Sequence, residues 1–310
     1  MRRRFSLICA VMLMLAVPIV PRADATPQWL GDIPGLGEVA PDPQPAAVPV
    51  NLGGCTITNP LFEDDPARVR PFVPARYELG TNAFFGPQAA TIIAAVLSCK
   101  SVSVDRRRPA PMVLALVAVQ VEQDPAGDNP ADRAWNLYTR STLNVLPSSS
   151  WYLIAAQTDN AGFAARLRRM HLPVDLVAGL AYRADYDGPE KKDSVVIPTH
   201  GGPYRLTTTT RLADPFVHNH DWQFWHDGPR GESAGLYLHL HAMSDSSCGY
   251  WISPAVAATQ PPCGATITAP PNSRIAKVLG ARVRQTPYAF NHPPSQARGY
   301  ITLKSEGRGR

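Results

Sequence analysis

Residues 236–243 read Leu-Tyr-Leu-His-Leu-His-Ala-Met, and this period-two alternation commits the chain to β architecture. Leu236, Leu238 and Leu240 are expected to face one way and Tyr237, His239 and His241 the other. Residues 204–212 (YRLTTTTRL) alternate large and polar residues over a run of threonines, a second strand signal. Residues 91–97, 111–121, 151–156 and 180–186 are runs of apolar residues of strand length. Two helices interrupt them. One is predicted over 160–171, capped by Thr158 or Asp159, with Phe163, Ala164, Leu167 and Met170 as its apolar stripe and Pro173 as its stop. A shorter one is predicted over 274–279, between Ser273 as cap and Gly280 as terminator. The expected class is therefore mainly β with few helices (α+β), antiparallel and without the alternation of a βαβ fold.

The N-terminus carries a different instruction. Arg2, Arg3 and Arg4 precede an almost wholly apolar run over 5–20, and Ala23-Asp24-Ala25 is a small-x-small cleavage site. The run is short for a bilayer span and ends at Pro18 and Pro21. This predicts a signal peptide over 1–25 cleaved after Ala25, and an extracytoplasmic mature chain without a transmembrane segment; the alternative is an uncleaved anchor. Arg2-Arg3 leaves the twin-arginine and general export routes both open. Residues 26–54, rich in Pro, Gly and Ala, read as a linker or arm, and 55–310 as one β-rich domain.

Charge excludes one class of partner. The chain has 30 Lys+Arg and 25 Asp+Glu, and the signal holds four Arg and one Asp of these, which leaves 26 against 24. A balance of +2 does not argue for nucleic acid. The mature chain keeps Cys55, Cys99, Cys248 and Cys263, an even number that in an exported protein reads as two disulfides. Three pairings are possible; Cys55–Cys99 and Cys248–Cys263 join neighbours in sequence and are preferred. A zinc site lacks the close C-x₂₋₄-C spacing it would need.

Two motifs invite catalytic readings. Gly231-Glu232-Ser233-Ala234-Gly235 matches the nucleophile elbow of serine esterases, His200-Gly201-Gly202-Pro203 resembles its oxyanion loop, and Asp245 and His292 follow in triad order. An elbow needs a strand before it and a helix after it. Here a turn-like stretch precedes and an alternating strand follows. Gly231 comes only 28 positions after Pro203, too close for the βαβ crossover, which takes about 30 residues or more. His218, His220 and His226, interleaved with Asp214, Asp221, Asp227, Trp222 and Trp225, are candidate metal ligands, as are His239 and His241. An exposed loop anchored by its aromatics accounts for the first group without a metal.

Residues 151–156 and Thr158-Asp159-Asn160, then the helix ending Met170-His171-Leu172-Pro173-Val174, resemble the core of acetoacetate decarboxylase-like proteins. Phe72-Val73-Pro74-Ala75-Arg76-Tyr77 resembles that family's early Val-Pro segment, and Pro271-Asn272-Ser273 with its helix resembles the C-terminal part. Over residues 60–280 the resemblance implies an antiparallel β-barrel or cone around an apolar pocket. The family's chemistry uses a lysine that forms a Schiff base with the substrate and needs a depressed pKa to do so. The matching position is Val174, followed by Asp175, and Ala165-Arg166-Leu167 stands where the family has Gly-Arg-Glu. Lys191-Lys192 lies further on in a charged, turn-like stretch. The resemblance thus implies the barrel and argues against decarboxylation.

The resulting expectation is an exported binding module for a small lipophilic or carbonyl-bearing molecule, with Tyr138, Arg140 and Trp151 lining the pocket and no cofactor. Alternatives are a serine esterase using Ser233, a lyase of unfamiliar mechanism, or a cell-envelope interaction protein tethered by its Pro-rich arm. Sequence leaves the oligomeric state open.

Overall fold

The computed structural model describes residues 50–80, 88–105, 107–121, 150–188, 190–199, 201–229, 233–248, 263–286 and 289–306. The signal segment, most of the arm, and Tyr138 and Arg140 lie outside them. The first strand, β1 (Val50–Thr58), begins inside the stretch read as arm. The described residues fall in one compact unit, and none of their helices is long and apolar enough to cross a membrane.

Three of the apolar runs become strands buried on both faces, while the run over 180–186 becomes the mostly exposed strand Ala181–Asp185. β3 (Ala90–Val104), β4 (Ala110–Gln120) and β5 (Ser150–Thr158) are antiparallel neighbours. Alternate residues enter two cores. Ile93, Leu97, Leu114 and Leu116 belong to one; Ile92, Val96, Val117 and Ile154 belong to the other. A strand between two cores has no solvent face, which is why these segments read as continuous rather than alternating apolar runs.

β1 pairs with β3 on one edge and with β13 (Ala289–Glu306) on the other. β13 pairs with β10 (Ser233–Cys248), and β10 with β9 (Tyr204–Asp227). β9 then meets β5 in parallel through Gln223, Phe224 and Trp225. The order β9-β10-β13-β1-β3-β4-β5 thus closes on itself as a circuit of seven hydrogen-bonded strands. The first core is drawn from strands all around this circuit. The other half of β9 carries a second layer: β8 (Glu190–Ile197) with β7 (Ala181–Asp185), and β11 (Gly264–Thr268) with β12 (Val283–Thr286). β2 (Leu61–Asp64) adds to β3, and β6 (Val174–Leu176) adds to β5 in parallel. The mainly β, few-helix class is as expected. Residues 213–227 are strand rather than loop, and Lys191-Lys192 lies in β8 rather than in a turn.

The helices are short. α1 (Pro66–Val69) starts on Asp65, whose side chain accepts from the Ala67 amide, and a single 3₁₀ turn (Arg70–Phe72) follows it. α2 (Ala161–Arg169) sends Phe163, Ala164 and Leu167 into the first core. Its cap is Asn160, which accepts from the Phe163 amide at 2.9 Å. The two residues expected to cap it are engaged elsewhere: Asp159 accepts from Val113 at 2.8 Å, and Thr158 from the Asn160 amide at 3.2 Å. Asn160→Ala is therefore expected to cost about 1 kcal/mol in denaturant unfolding, and Asp159→Ala to leave α2 capped. His171 takes a left-handed backbone (φ 59°) after the last turn and redirects the chain to Pro173. α3 (Arg274–Val278) is capped by Ser273 and ends ahead of left-handed Gly280, as predicted.

Both preferred disulfides are present. Cys55–Cys99 joins residues directly opposite on β1 and β3, with Cα atoms 4.0 Å apart. Cys248–Cys263 ties the end of β10 to the residue before β11, at 5.9 Å.

Candidate functional site

β5 changes partners along its length. Its first residues pair with β9, Ser150 to Gln223 through Tyr152 to Trp225; its last pair with β6, Ala156 to Val174 onward. Leu153 falls in the gap, and its carbonyl lies 3.0 Å from His226 Nδ1. A carbonyl can only accept, so Nδ1 carries the proton in that contact. Burial, then the Arg274 charge, hold this imidazole below its ordinary pKa, against the Leu153 carbonyl and Asp227. Its neutral form thus keeps the proton on Nδ1 and leaves Nε2 as an acceptor.

Around His226 the chain gathers five further groups from distant segments. Asp227, the last residue of β9, pairs with the Arg76 guanidinium and accepts from Tyr77 Oη at 2.8 Å. The Tyr77 ring stands 5.1 Å from the Tyr152 ring, which lies 5.4 Å from the imidazole. Arg76 also sits over the Tyr77 ring, 5.2 Å from its centroid. Burial opposes the Arg76 charge, but the hydrogen bond to Asp227 and the nearby Tyr77 more than offset it and hold its pKa above the usual value. Burial and the Asp227 carboxylate raise the Tyr152 phenol, while Asp227's backbone amide, Arg274 and Arg76 act the other way. Tyr152 is therefore a donor at neutral pH.

Each of these side chains is positioned by ordinary packing. Arg70 donates to the Tyr77 carbonyl at 2.7 Å and to the Val73 and Pro74 carbonyls at 2.5 Å, which fastens the segment bearing Arg76 and Tyr77. Trp225 and Tyr77 are almost wholly buried in the second core, with Ile275 and Ala276 of α3 in the same core. α3 carries Arg274, whose charge acts on both Tyr152 and His226. Arg274 is exposed and has no carboxylate partner among the described residues. Two guanidinium groups, a phenol donor and a neutral imidazole acceptor form a set that can hold a carboxylate and an adjacent carbonyl or hydroxyl oxygen.

The residues singled out from sequence are mostly dispersed. Ser233 opens β10 opposite Asp227, and the residues after it continue as strand, so the strand-turn-helix of an elbow is absent. Asp245 lies 12 residues further along β10, about 40 Å of extended chain. His292 is near that far end, because Asn291 opposes Ser246. Ser233, Asp245 and His292 therefore do not assemble. His218, His220 and His226 all belong to β9, and the six residues from His220 to His226 span about 20 Å when extended. His239 and His241 stand opposite Asp221 and Asn219. Among the described residues no three His, Cys, Asp or Glu side chains are grouped to hold a metal. Trp151 is buried in the first core, its indole N–H without a partner. Of the histidines only His226 enters the cluster, and of the aspartates interleaved with them Asp227 does.

Val174 is buried on β6, and its carbonyl accepts from Arg168 Nε at 3.1 Å. Lys191 donates to the Tyr186 carbonyl, and Lys192, more than half exposed, pairs with Glu190 at 3.0 Å.

No protein-family model and no curated protein matches the sequence. Among solved structures, an acetoacetate decarboxylase is similar at 12% identity, covering 83% of this chain and 88% of that one, with a TM-score of 0.46. An acetoacetate decarboxylase-like enzyme from Sphingomonas wittichii RW1 is similar at 10% identity, over 85% and 92% of the two chains, with a TM-score of 0.45. The enduracididine biosynthesis enzyme MppR with HEPES buffer bound is similar at 12% identity, over 85% and 87%, with a TM-score of 0.41. The likeness is one of fold.

Proposed function

We propose that the chain is an exported, β-rich binding protein that takes a small carboxylate with a neighbouring carbonyl at the Arg76–Tyr152–His226–Arg274 cluster, and that it does not decarboxylate its ligand. The reading includes a cleaved signal over residues 1–25 and a Pro-rich arm ahead of the domain. The observation that carries it is the exposed Arg274 guanidinium, without a carboxylate partner among the described residues, whose charge acts on a neutral imidazole that keeps Nε2 as an acceptor. Imine chemistry finds little support. A nucleophilic amine needs desolvation or a cationic neighbour to lose its proton near neutral pH, and Lys192 is solvated and salt-bridged instead. Val174, at the position matched to the Schiff-base lysine, cannot form an imine.

Calorimetric titration of the mature protein with pyruvate and with acetoacetate tests this. Reversible binding is expected, weakened about tenfold or more in Arg274→Ala, the scale of one lost charge-assisted hydrogen bond. Borohydride added to the mixture is expected to leave the protein mass unchanged. A borohydride-dependent mass gain on a lysine would establish imine chemistry and overturn the reading. So would wild-type protein that binds neither acid, or an Arg274→Ala variant that binds as well as wild type.

A further inference from the structure

Asp193 of β8 carries a carboxyl group buried at 5% exposure. Its hydrogen-bond partners are four hydroxyl groups. Tyr182 of β7 donates at 2.5 Å, Tyr186 of the following turn at 2.8 Å, Thr58 of β1 at 2.8 Å and Thr208 of β9 at 3.5 Å. The remaining lining is Val96 from β3, Leu206 from β9, and Ser194 and Val195 of β8 itself. Of the lysines on β8, Lys191 lies on the same face as Asp193 and gives its amine to the Tyr186 carbonyl, and Lys192, on the other face, pairs with Glu190. Among the described residues Asp193 takes part in no ion pair.

The place of this group in the fold gives it a consequence. β7 is an edge strand whose backbone pairs only with β8, and most of its residues are exposed. Beside the packing of Leu180 and Tyr182 against the second core, the two tyrosine hydroxyls on Asp193 tie β7 and its turn to the interior, through Thr58 to β1 and through Thr208 to β9. We infer that Asp193 is a proton-controlled clasp: the neutral carboxyl group fastens the β7–β8 hairpin to the barrel, and ionisation loosens it.

The direction follows from solvation. An ionised carboxylate taken from water without an opposite charge is strongly disfavoured, and neutral hydroxyl donors offset only part of that. Burial accordingly raises the Asp193 pKa above the ordinary carboxylate value, against the opposing pull of the hydrogen bonds from Tyr182, Tyr186, Thr58 and Thr208. Both phenols are raised as well, by burial first and by Asp193 second, so they remain donors throughout. A group whose folded pKa lies above its unfolded value stabilises the fold fully below the unfolded value. That contribution is lost as pH rises through the folded one. The hairpin is therefore tightest in acid.

Hydrogen exchange of the full-length mature protein, read on peptides covering residues 181–197 and corrected for intrinsic rates, tests the clasp between pH 4.5 and 8.5. Protection is expected to fall by about tenfold or more across this range in the wild type, the factor carried by one pKa unit. Asp193→Asn, uncharged at every pH, is expected to remove that dependence. Tyr182→Phe deletes a donor that favours the ionised form and is expected to move the midpoint to higher pH, a shift that mere loss of packing would not give. Wild-type protection that is flat with pH would overturn the inference, as would an Asp193→Asn protein that keeps the pH dependence, or an unmoved midpoint in Tyr182→Phe should Asp193→Asn not fold.

Discussion

Replacing Cys55 and Cys99 together by alanine is expected to lower the unfolding free energy by about 4 kcal/mol, the chain-entropy value for a loop closed across a separation of 44 residues. The same estimate for Cys248–Cys263, separated by 15, is about 3 kcal/mol. The larger effect arises in the unfolded state, because the two residues already face each other across the β1–β3 ladder in the folded one. Both sulfurs are buried, so a reductant without denaturant is expected to act slowly. Urea unfolding of the oxidised protein and of the double variant measures the difference. A loss below about 1 kcal/mol would mean that this bond contributes nothing like its loop entropy.

Sequence was informative where a local rule decides the structure. Ser273 and Gly280 bracket α3 because a cap and a left-handed terminator act within a few residues. The apolar stripe of α2 is likewise local, but its cap is not. Asp159 was taken by the Val113 amide on a strand 46 residues earlier, and this left the role to Asn160. Residues 213–227, with Pro215 and alternating His, Asp and Asn, have the composition of a loop. They are strand because β10 supplies a partner from Phe216 to Asp227, with a register shift over 213–215. β1 was read as the end of an arm for a similar reason, since Gly53 and Gly54 suit a linker and only pairing to β3 and β13 reveals the strand.

The cluster around His226 was even less legible. Asp227 and Tyr77 are 150 positions apart, and nothing in the spacing of either segment marks the other as its partner. His226 and Asp227 stand out in the sequence only within an interleaved group of histidines and aspartates, and Phe72–Tyr77 and the Ser273 helix only as family-like segments, each without a neighbour. What joins them is the parallel β5–β9 contact that closes the strand circuit. Closure is a property of the whole sheet, and periodicity along one strand carries no information about it.

Trp225 is where closure and site meet, and Trp225→Ala is expected to damage both. The side chain is fully buried in the second core, its backbone lies opposite Tyr152 in the parallel contact, and the next two residues are His226 and Asp227. Truncating a buried aromatic residue to alanine costs about 3–5 kcal/mol, which for a domain of this size corresponds to a fall of roughly 10 °C in Tm. The cavity would sit directly behind the contact that holds β9 against β5, so the His226 bond to Leu153 is expected to loosen and carboxylate binding to fall with it. Trp225→Phe keeps a ring in place and is expected to retain most of the stability and the binding. Thermal unfolding and pyruvate titration of the two variants separate the possibilities. A Trp225→Ala protein that binds as well as wild type would show that the cluster does not depend on the seam, and an undiminished Tm would show that the seam does not depend on this side chain.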